Sequence, residues 1–176
     1  MRVLAALCVV LLLAGCGLTG QDPGVAGESP ATSPTPDVPA MPPFDVASLT
    51  LLDPDGGQVE MAVYVADQPA TRQQGLMGVT DLPRDAGMVF LSPEDRGGGF
   101  WMKNTLIPLS IAFFAADGAV LAVLDMEPCE ADPCPIYDPG VTYRGALEVN
   151  QGHFDEIGLD TGWRVELPSA LADRAR

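Results

Sequence analysis

The residues best suited to chemistry lie in one short apolar segment and on a second strand-like segment further along the chain. Lys103, the only lysine, lies between Met102 and Asn104. A lysine in this position has two possible roles. Its aliphatic chain can cover the core while its ammonium stays in water, or its ammonium can bind an anionic or carbonyl group in a pocket. Glu148, on the second segment, forms an ion pair with Lys103 if the two strands face each other. That pair would either fix the register of the sheet or act as the catalytic pair of a hydrolase or transferase, with Glu148 as the general acid or base. Lys103 and Glu148 are therefore weak candidates for catalytic residues.

A polar and aromatic set surrounds this pair and suits ligand binding better than catalysis. Trp101 offers a flat surface on which a ring can stack, unless it simply packs at the rim of the core. Further hydrogen bonds or charge for a ligand would come from Asn104, Thr105, Tyr137, Tyr143, Asn150 and Arg72.

The sequence lacks the common enzyme signatures. It contains no Gly-x-Ser-x-Gly elbow, no histidine in a metal-binding or nucleophile-activating pattern, and no Gly-rich phosphate loop. His153, the only histidine, is interpreted as a surface turn residue. We therefore favour ligand binding over enzymatic activity, with no cofactor and no metal.

The elements that must position these residues are predicted to be mostly strands. Residues 54–57 form a turn between two antiparallel strands, and residues 116–118 form a hairpin turn. A short helix is predicted from a capping Asp67 to Gly75, and a turn or helix around 154–157. The predicted strands are 48–53, 58–66, 87–91, 108–115, 120–126, 144–150 and 162–167. Many short strands with Gly and Pro turns indicate a sandwich or squat barrel.

The amino terminus predicts export and lipidation. A basic start is followed by a twelve-residue apolar run, 3–14, which is too short for a mature transmembrane helix and is typical of a signal peptide. The tetrad Leu13-Ala14-Gly15-Cys16 resembles the bacterial lipobox. We expect residues 1–15 to be removed and Cys16 to carry the acyl chains; the alternative is an ordinary secretory signal in which Cys16 is incidental.

Composition divides the mature chain into a tether and a domain. Residues 16–47 are rich in Pro, Gly, Ser and Thr and are predicted to be a disordered tether. Residues 48–168 have the size of one domain, and 169–176 are interpreted as a tail. The net charge of −15 disfavours a nucleic-acid partner and leaves cations, basic peptides and neutral sugars as possible partners. The same charge could simply keep the domain soluble.

Cys129 and Cys134 are predicted to form a structural disulfide. Once Cys8 leaves with the signal and Cys16 is acylated, these two thiols remain as an even pair in an oxidising compartment. A redox pair usually has two intervening residues rather than four, and a zinc site would need further ligands.

Several of these motifs together resemble the bacterial and archaeal family called domain of unknown function 192. The resemblance covers about residues 59–167. It is carried by Arg72 with Gly75-Leu76-Met77, Gly87-Met88-Val89-Phe90, Phe100-Trp101-Met102-Lys103-Asn104-Thr105 with Pro108-Leu109, and Ala146-Leu147-Glu148-Val149. It implies an all-β, jelly-roll-like domain that is often exported, and no established activity. Ser110 stands where similar sequences commonly have Asp, and Asp160-Thr161-Gly162 where a Gly-Asp pair is usual, which disfavours a carboxylate mechanism.

The sequence therefore predicts an all-β, jelly-roll-like sandwich or squat barrel with one or two short helices, held on the extracytoplasmic face of the cell membrane by a lipid anchor. Its predicted function is to bind a small ligand or another cell-envelope component. The alternatives are the Glu148–Lys103 hydrolase or transferase and a purely structural interaction module.

Overall fold

A computed structural model of the protein describes residues 38–175. The predicted signal peptide, the lipidated Cys16 and most of the predicted tether lie outside the described residues. Within the described range, every helix is too short or too polar to cross a lipid bilayer.

The described chain consists mostly of short strands, as the sequence predicts. Turn residues fix the two predicted hairpins: Gly56 and Gly118 both have positive φ angles, which glycine adopts without steric cost. The strands are β1 (Asp45–Leu52), β2 (Gln58–Ala66), β3 (Ala86–Arg96), β4 (Phe100–Trp101), β5 (Leu109–Phe114), β6 (Val120–Met126), β7 (Ile136–Tyr137), β8 (Tyr143–Asn150) and β9 (Arg164–Glu166). The helices are α1 (Pro69–Gln74), α2 (His153–Ile157), α3 (Ser169–Ala172) and a 3₁₀ helix, Asp173–Ala175.

Seven of these strands form one curled sheet with the order β6-β5-β8-β3-β2-β1-β9. All neighbours are antiparallel except β2 and β3, which are parallel and joined by a crossover through α1. The amide of Val120 donates to the carbonyl of Trp163 (3.0 Å), and the amide of Val165 donates to that of Gly118 (2.8 Å). These bonds join the two edges of the sheet where β6 begins, so the sheet curls into a half-barrel.

Apolar residues pack against both faces of the sheet. One face carries a core that includes Leu51, Val63 and Leu147 together with Leu171 from α3. On the other face Met88 and Ile111 are covered by residues of the connecting segments 67–85 and 97–108, which the structure places over the sheet. Strand residues alternate between the two faces, which assigns Glu148 to the covered second face.

The start of α1 and the carboxyl-terminal end of the folded region differ from the sequence-based expectation. The predicted capping Asp67 is wrong: the helix begins after Gln68, whose amide donates to the Thr71 hydroxyl (3.0 Å), while Asp67 pairs with Arg174 (3.2 Å). Residues 169–175, interpreted as a tail, fold as α3 and the 3₁₀ helix. Leu171 and Ala175 are buried there because they complete the first core.

Candidate functional site

A cavity of about 370 Å³ lies between α1, β3, β4 and β8. This volume falls at the low end of the range of roughly 300–1,000 Å³ that is typical of small-molecule sites. The helix contributes Arg72, β3 contributes Phe90, Ser92 and Arg96, and β8 contributes Tyr143 and Arg144. Residues from three separate parts of the chain therefore meet at one concave surface.

An irregularity in β3 explains why the cavity forms at this place. Leu91 is opposite Gly145 in β8, whereas Arg96 is opposite Tyr143. Four residues thus lie between these two β3 positions, whereas only one lies between their partners in β8, and the additional residues leave the ladder as a bulge. The irregular part of β3 begins after Leu91, and Ser92 and Arg96, at its two ends, both line the cavity.

Two glycines keep the neighbouring backbones close enough to complete the walls. A Cβ atom on Gly99 would lie 2.3 Å from the carbonyl oxygen of Tyr137, so β4 can pair with β7 only because residue 99 has no side chain. A Cβ atom on Gly145 would lie 2.3 Å from the ring of Phe114 and 2.9 Å from the carbonyl oxygen of Phe90. The three-glycine run that precedes β4 therefore serves close backbone approach, at least at Gly99.

The lining of this cavity is cationic although the protein is strongly acidic. Arg72, Arg96 and Arg144 line it, and no acidic residue does. They are three of six described arginines, the others being Arg84, Arg164 and Arg174. Four further cavities, of 340 to 390 Å³, each have at least one acidic residue in their lining. The net charge of −15 makes this concentration of positive charge unusual for the molecule.

The three arginines differ in how far their charges are already satisfied. Arg72 donates to the backbone carbonyls of Asp67 and Leu91, the latter at 3.0 Å, and forms no ion pair within residues 38–175. Arg144 pairs with Asp95 (2.9 Å) and donates to the carbonyl of Ala175 (3.0 Å). Arg96 is exposed, and its guanidinium has neither a hydrogen bond nor an ion pair among the described residues. Arg96 therefore offers its complete set of donors to a ligand.

Aromatic rings form another wall of the cavity. Phe90 meets Phe100 edge to face with ring centroids 5.0 Å apart, and Phe100 lies 6.4 Å from Tyr143. Burial raises the pKa of Tyr143, which Arg96 opposes and Asp138 reinforces. Trp101 is 47% exposed and makes no ring contact with any described residue. The wall thus combines rings that pack against each other with one indole that is left open.

Ser92 adds a hydroxyl to the cavity wall. The residue is only 7% exposed, and its side chain has no hydrogen-bond partner among the described residues. Alternation along β3 gives it the same face as Phe90, whose ring also lines the cavity. The Ser92 hydroxyl is not among the fully buried, unpartnered polar atoms of the described chain, so it is open to a ligand or to water.

The structure brings only some of the sequence-predicted site residues together. Trp101, Tyr143 and Arg72 line the cavity. The others lie elsewhere, and most have a partner of their own. The amide of Glu127 donates to the Tyr137 hydroxyl (2.9 Å), and the Asn150 side chain donates to the carbonyl of Leu82 (2.9 Å). Thr105 is buried outside the cavity lining.

The predicted ion pair between Lys103 and Glu148 is wrong. Lys103 forms a bridge with Cys129, which places it beside the loop that carries Asp132, and its ammonium pairs with that carboxylate. The Lys103 side chain is 29% exposed and that of Asp132 is more so. The pair therefore forms at the surface with little loss of hydration, whereas a pair with Glu148, which is 4% exposed, would bury more of the ammonium. The hydrolase or transferase hypothesis therefore lacks the Lys103–Glu148 pair on which it depends.

Much of the motif around Lys103 builds the scaffold. Met102 is fully buried, and Asn104 has a φ of 57°, a left-handed conformation that Asn tolerates better than most residues. The Asn104 amide donates to the carbonyl of Cys129 (2.8 Å), and its own carbonyl accepts from Gly78 (2.9 Å). The predicted disulfide between Cys129 and Cys134 is confirmed and closes the loop on which Asn104 depends.

Glu148 is a buried carboxyl group without a partner. It is 4% exposed and lies between Met88 of β3 and Ile111 of β5, and its carboxyl group has no hydrogen bond or ion pair among the described residues. Desolvation by burial raises the pKa of Glu148 from 4.5 to about 8. The group is therefore mostly protonated and neutral at pH 7. It does not line the cavity.

Two other polar residues behave differently from the sequence-based expectation. His153, interpreted as a surface turn residue, is 7% exposed, and neither ring nitrogen has a hydrogen bond in the described chain. Ser110, where the resemblance leads us to expect Asp, donates to a carboxylate oxygen of Asp125 on β6 (2.5 Å) and accepts from the amide of Gly152 (3.0 Å). The carboxylate at this position thus comes from the neighbouring strand. Residues 38–175 contain no cluster of three or more His, Cys, Asp or Glu side chains suited to a metal ion.

Sequence reasoning missed Arg96, Arg144 and Ser92. A signal for the arginines exists: in a chain with 24 acidic residues, both lie next to glycines and close to aromatic residues. Their convergence depends on the β3 bulge and on the pairing of β3 with β8, which the local pattern does not specify.

The fold and the cavity define a small β-domain with a cationic, partly aromatic ligand-sized site. The chain belongs to the family called domain of unknown function 192, described as uncharacterised, whose sequence profile matches residues 51–167. A solved structure from Sinorhizobium meliloti 1021, described as a candidate transcription regulator, is similar with 31% identity and a TM-score of 0.66 over 70% of this chain and 94% of that chain. A Novosphingobium aromaticivorans DSM 12444 protein of unknown function is similar with 28% identity and a TM-score of 0.59 over 69% and 85%. No curated protein matches the chain.

Proposed function

We propose that this domain binds a small anionic ligand in the cavity between α1, β3, β4 and β8. The observation that carries the proposal is the lining of that cavity: three arginines, of which Arg96 has a guanidinium without any partner among the described residues, and no acidic residue, in a protein of net charge −15. An anion is repelled by most of the surface and attracted at this one concave place. The site therefore selects for negative charge.

The chemistry of the lining supports an oxyanion as the group that is recognised. Arginine presents a planar fork of donors that matches a carboxylate or phosphate in two parallel hydrogen bonds. Arg96 is free to make such a pair, and the Ser92 hydroxyl can add another hydrogen bond. The volume of about 370 Å³ suits a small molecule rather than a folded partner.

Two other roles are not part of the proposal. The description of the Sinorhizobium meliloti protein as a candidate transcription regulator belongs to that protein. DNA binding would require a basic surface that neutralises phosphates, which a net charge of −15 disfavours. The Glu148–Lys103 hydrolase or transferase has lost its pair, since Lys103 binds Asp132.

We propose further that the domain works at the extracytoplasmic face of the membrane, held by lipidated Cys16. The Leu13-Ala14-Gly15-Cys16 tetrad and the Pro-, Ser- and Thr-rich segment that follows support this location. The Cys16→Ser variant should leave the membrane fraction of a bacterial host that processes lipoproteins, and the mature wild-type protein should carry the mass of acyl chains on its first residue. Equal membrane retention of both proteins would refute the anchor.

Thermal-shift titration tests the proposed ligand class. The probes are benzoate, phenyl phosphate and succinate, with benzamide and phenol as neutral counterparts. We expect at least one acid to stabilise the wild type, no effect of the neutral probes, and at least tenfold weaker binding to Arg96→Gln, because a charge-assisted hydrogen bond contributes about 1.5–3 kcal/mol.

The matched control is Arg84→Gln, which removes an exposed arginine that pairs with Glu156 outside the cavity. This variant should bind the acids as the wild type does. Equal weakening in both variants would indicate a general charge effect and would refute the site. The absence of binding by every acid would favour the purely structural module instead.

A further inference from the structure

We infer that the ligand of this cavity is a small acid built on one flat ring, with its anionic group at Arg96 and its ring against Trp101. This inference rests on the proposed function and adds the part of the ligand that the arginines do not recognise. It follows from the packing of the aromatic residues, from the position of Trp101 and from the size of the cavity.

The packing of the aromatic residues leaves one ring open. Phe90, Phe100, Phe113 and Tyr143 contact each other edge to face or tilted, with centroids between 4.8 and 6.4 Å apart. Trp101 lines the same cavity but makes no ring contact with the described residues, and nearly half of its surface is exposed. An indole in this setting lacks the offset or edge-to-face partner that aromatic rings prefer.

The strand pairing explains why Trp101 stays open. Phe100 lies opposite Tyr137 and Trp101 lies opposite Ile136 in the β4–β7 ribbon. Phe100 packs against the second core, whereas Trp101 and its partner Ile136 are both exposed. The ribbon is held by Gly99, whose lack of a side chain permits the approach to Tyr137. The indole is therefore presented by a fixed backbone.

The anion-binding group and the ring lie close together along the chain. Arg96 and Trp101 are joined by the segment Gly97-Gly98-Gly99-Phe100, and both line the one cavity. Its volume of about 370 Å³ is near the lower limit of small-molecule sites, which favours a single ring over a long acyl chain or a peptide. A flat ring also contacts an indole over its complete face, whereas a puckered ring of the same size cannot.

Calorimetric titration of the whole protein with three acids tests this inference. Benzoate has a flat ring, cyclohexanecarboxylate has a puckered ring of similar size, and acetate has only the anion. We expect benzoate to bind three- to tenfold more tightly than cyclohexanecarboxylate, in keeping with the usual strength of aromatic stacking, and both to bind more tightly than acetate. Benzoate should also change the fluorescence of Trp101, while the buried Trp163 serves as the unchanged background.

Variants distinguish the recognition of the ring by Trp101 from the recognition of the anionic group by Arg96. Trp101→Ala should abolish the preference for benzoate over cyclohexanecarboxylate, Trp101→Phe should retain it, and Val141→Ala should leave it unchanged, since Val141 is exposed but lies outside the cavity. If both ring acids bind equally and still require Arg96, the flat-ring inference is overturned and the proposed anion site stands. If binding of all three acids is indifferent to Arg96, or none binds, the proposed function is overturned as well.

Discussion

Glu148 should make the stability of this protein fall as the pH rises. Its carboxyl is 4% exposed, lacks a partner in the described structure and has a folded pKa of about 8 against an ordinary 4.5. Below pH 4.5 the group is neutral in both the folded and the unfolded protein. Above that value it ionises only on unfolding, so the unfolded state is favoured increasingly until the folded group also ionises near pH 8.

The expected size of this effect follows from the difference between the two pKa values. One unit corresponds to about 1.4 kcal/mol, so the contribution of Glu148 to the free energy of unfolding should fall by about 5 kcal/mol between pH 4.5 and pH 8 and then level off. The Glu148→Gln variant has a similar shape and no charge at any pH. Its free energy of unfolding minus that of the wild type should therefore rise by the same amount over this range.

Urea denaturation at half-unit steps from pH 4.5 to pH 9 measures this difference. Other carboxyl groups titrate alike in the two proteins, so their contributions cancel in the difference between the two free energies of unfolding. Glu166→Gln, which removes an exposed glutamate of β9, is the matched control and should parallel the wild type. A difference between Glu148→Gln and the wild type that stays constant within about 1 kcal/mol would show that Glu148 ionises alike when folded and unfolded. The account of its burial would then be refuted.

Three further variants test the scaffold around the cavity, each by urea denaturation at pH 7. Asn104→Ala should destabilise by about 1 kcal/mol and Asn104→Gly by less, because residue 104 is left-handed; equal losses would argue against backbone strain. Changing Cys129 and Cys134 together to Ser should cost about 2 kcal/mol through the entropy of the freed loop, and an unchanged midpoint would contradict this. Arg72→Met should cost about 1–3 kcal/mol, since two backbone carbonyls lose their donor; a neutral result would show that water replaces the guanidinium.

Local patterns in the sequence were sufficient to predict the hairpins. The turn at 54–57 joins β1 and β2, and Gly118 lies in the turn between β5 and β6, as the sequence indicates. Both depend on residues that are adjacent in the chain. The parallel pairing of β2 with β3 and the meeting of the sheet edges at Gly118 and Val165 depend on distant segments. A local pattern does not specify such partners.

The candidate site was only partly predictable for the same reason. The chemistry of Trp101 and Arg72 is visible in the sequence, and both line the cavity. Lys103 was the predicted ligand-binding cation, but its ammonium pairs with Asp132, because the loop closed by the disulfide places that carboxylate beside it. The cavity cation whose guanidinium has no partner among the described residues is Arg96, whose position follows from a bulge that the alternation pattern of β3 does not predict.

The measurement that tests the central claim most directly is a ¹H–¹⁵N NMR titration of the wild-type protein with benzoate. We predict saturable shifts of the amides of Arg96, Gly99 and Trp101, which line the cavity, and of the Trp101 indole N–H. In Arg96→Gln the Gly99 and Trp101 signals should need at least tenfold more benzoate to shift. Shifts that gather instead around Arg174, or that titrate at the cavity with unchanged affinity after Arg96 is replaced, would contradict the assignment of this cavity as the anion site.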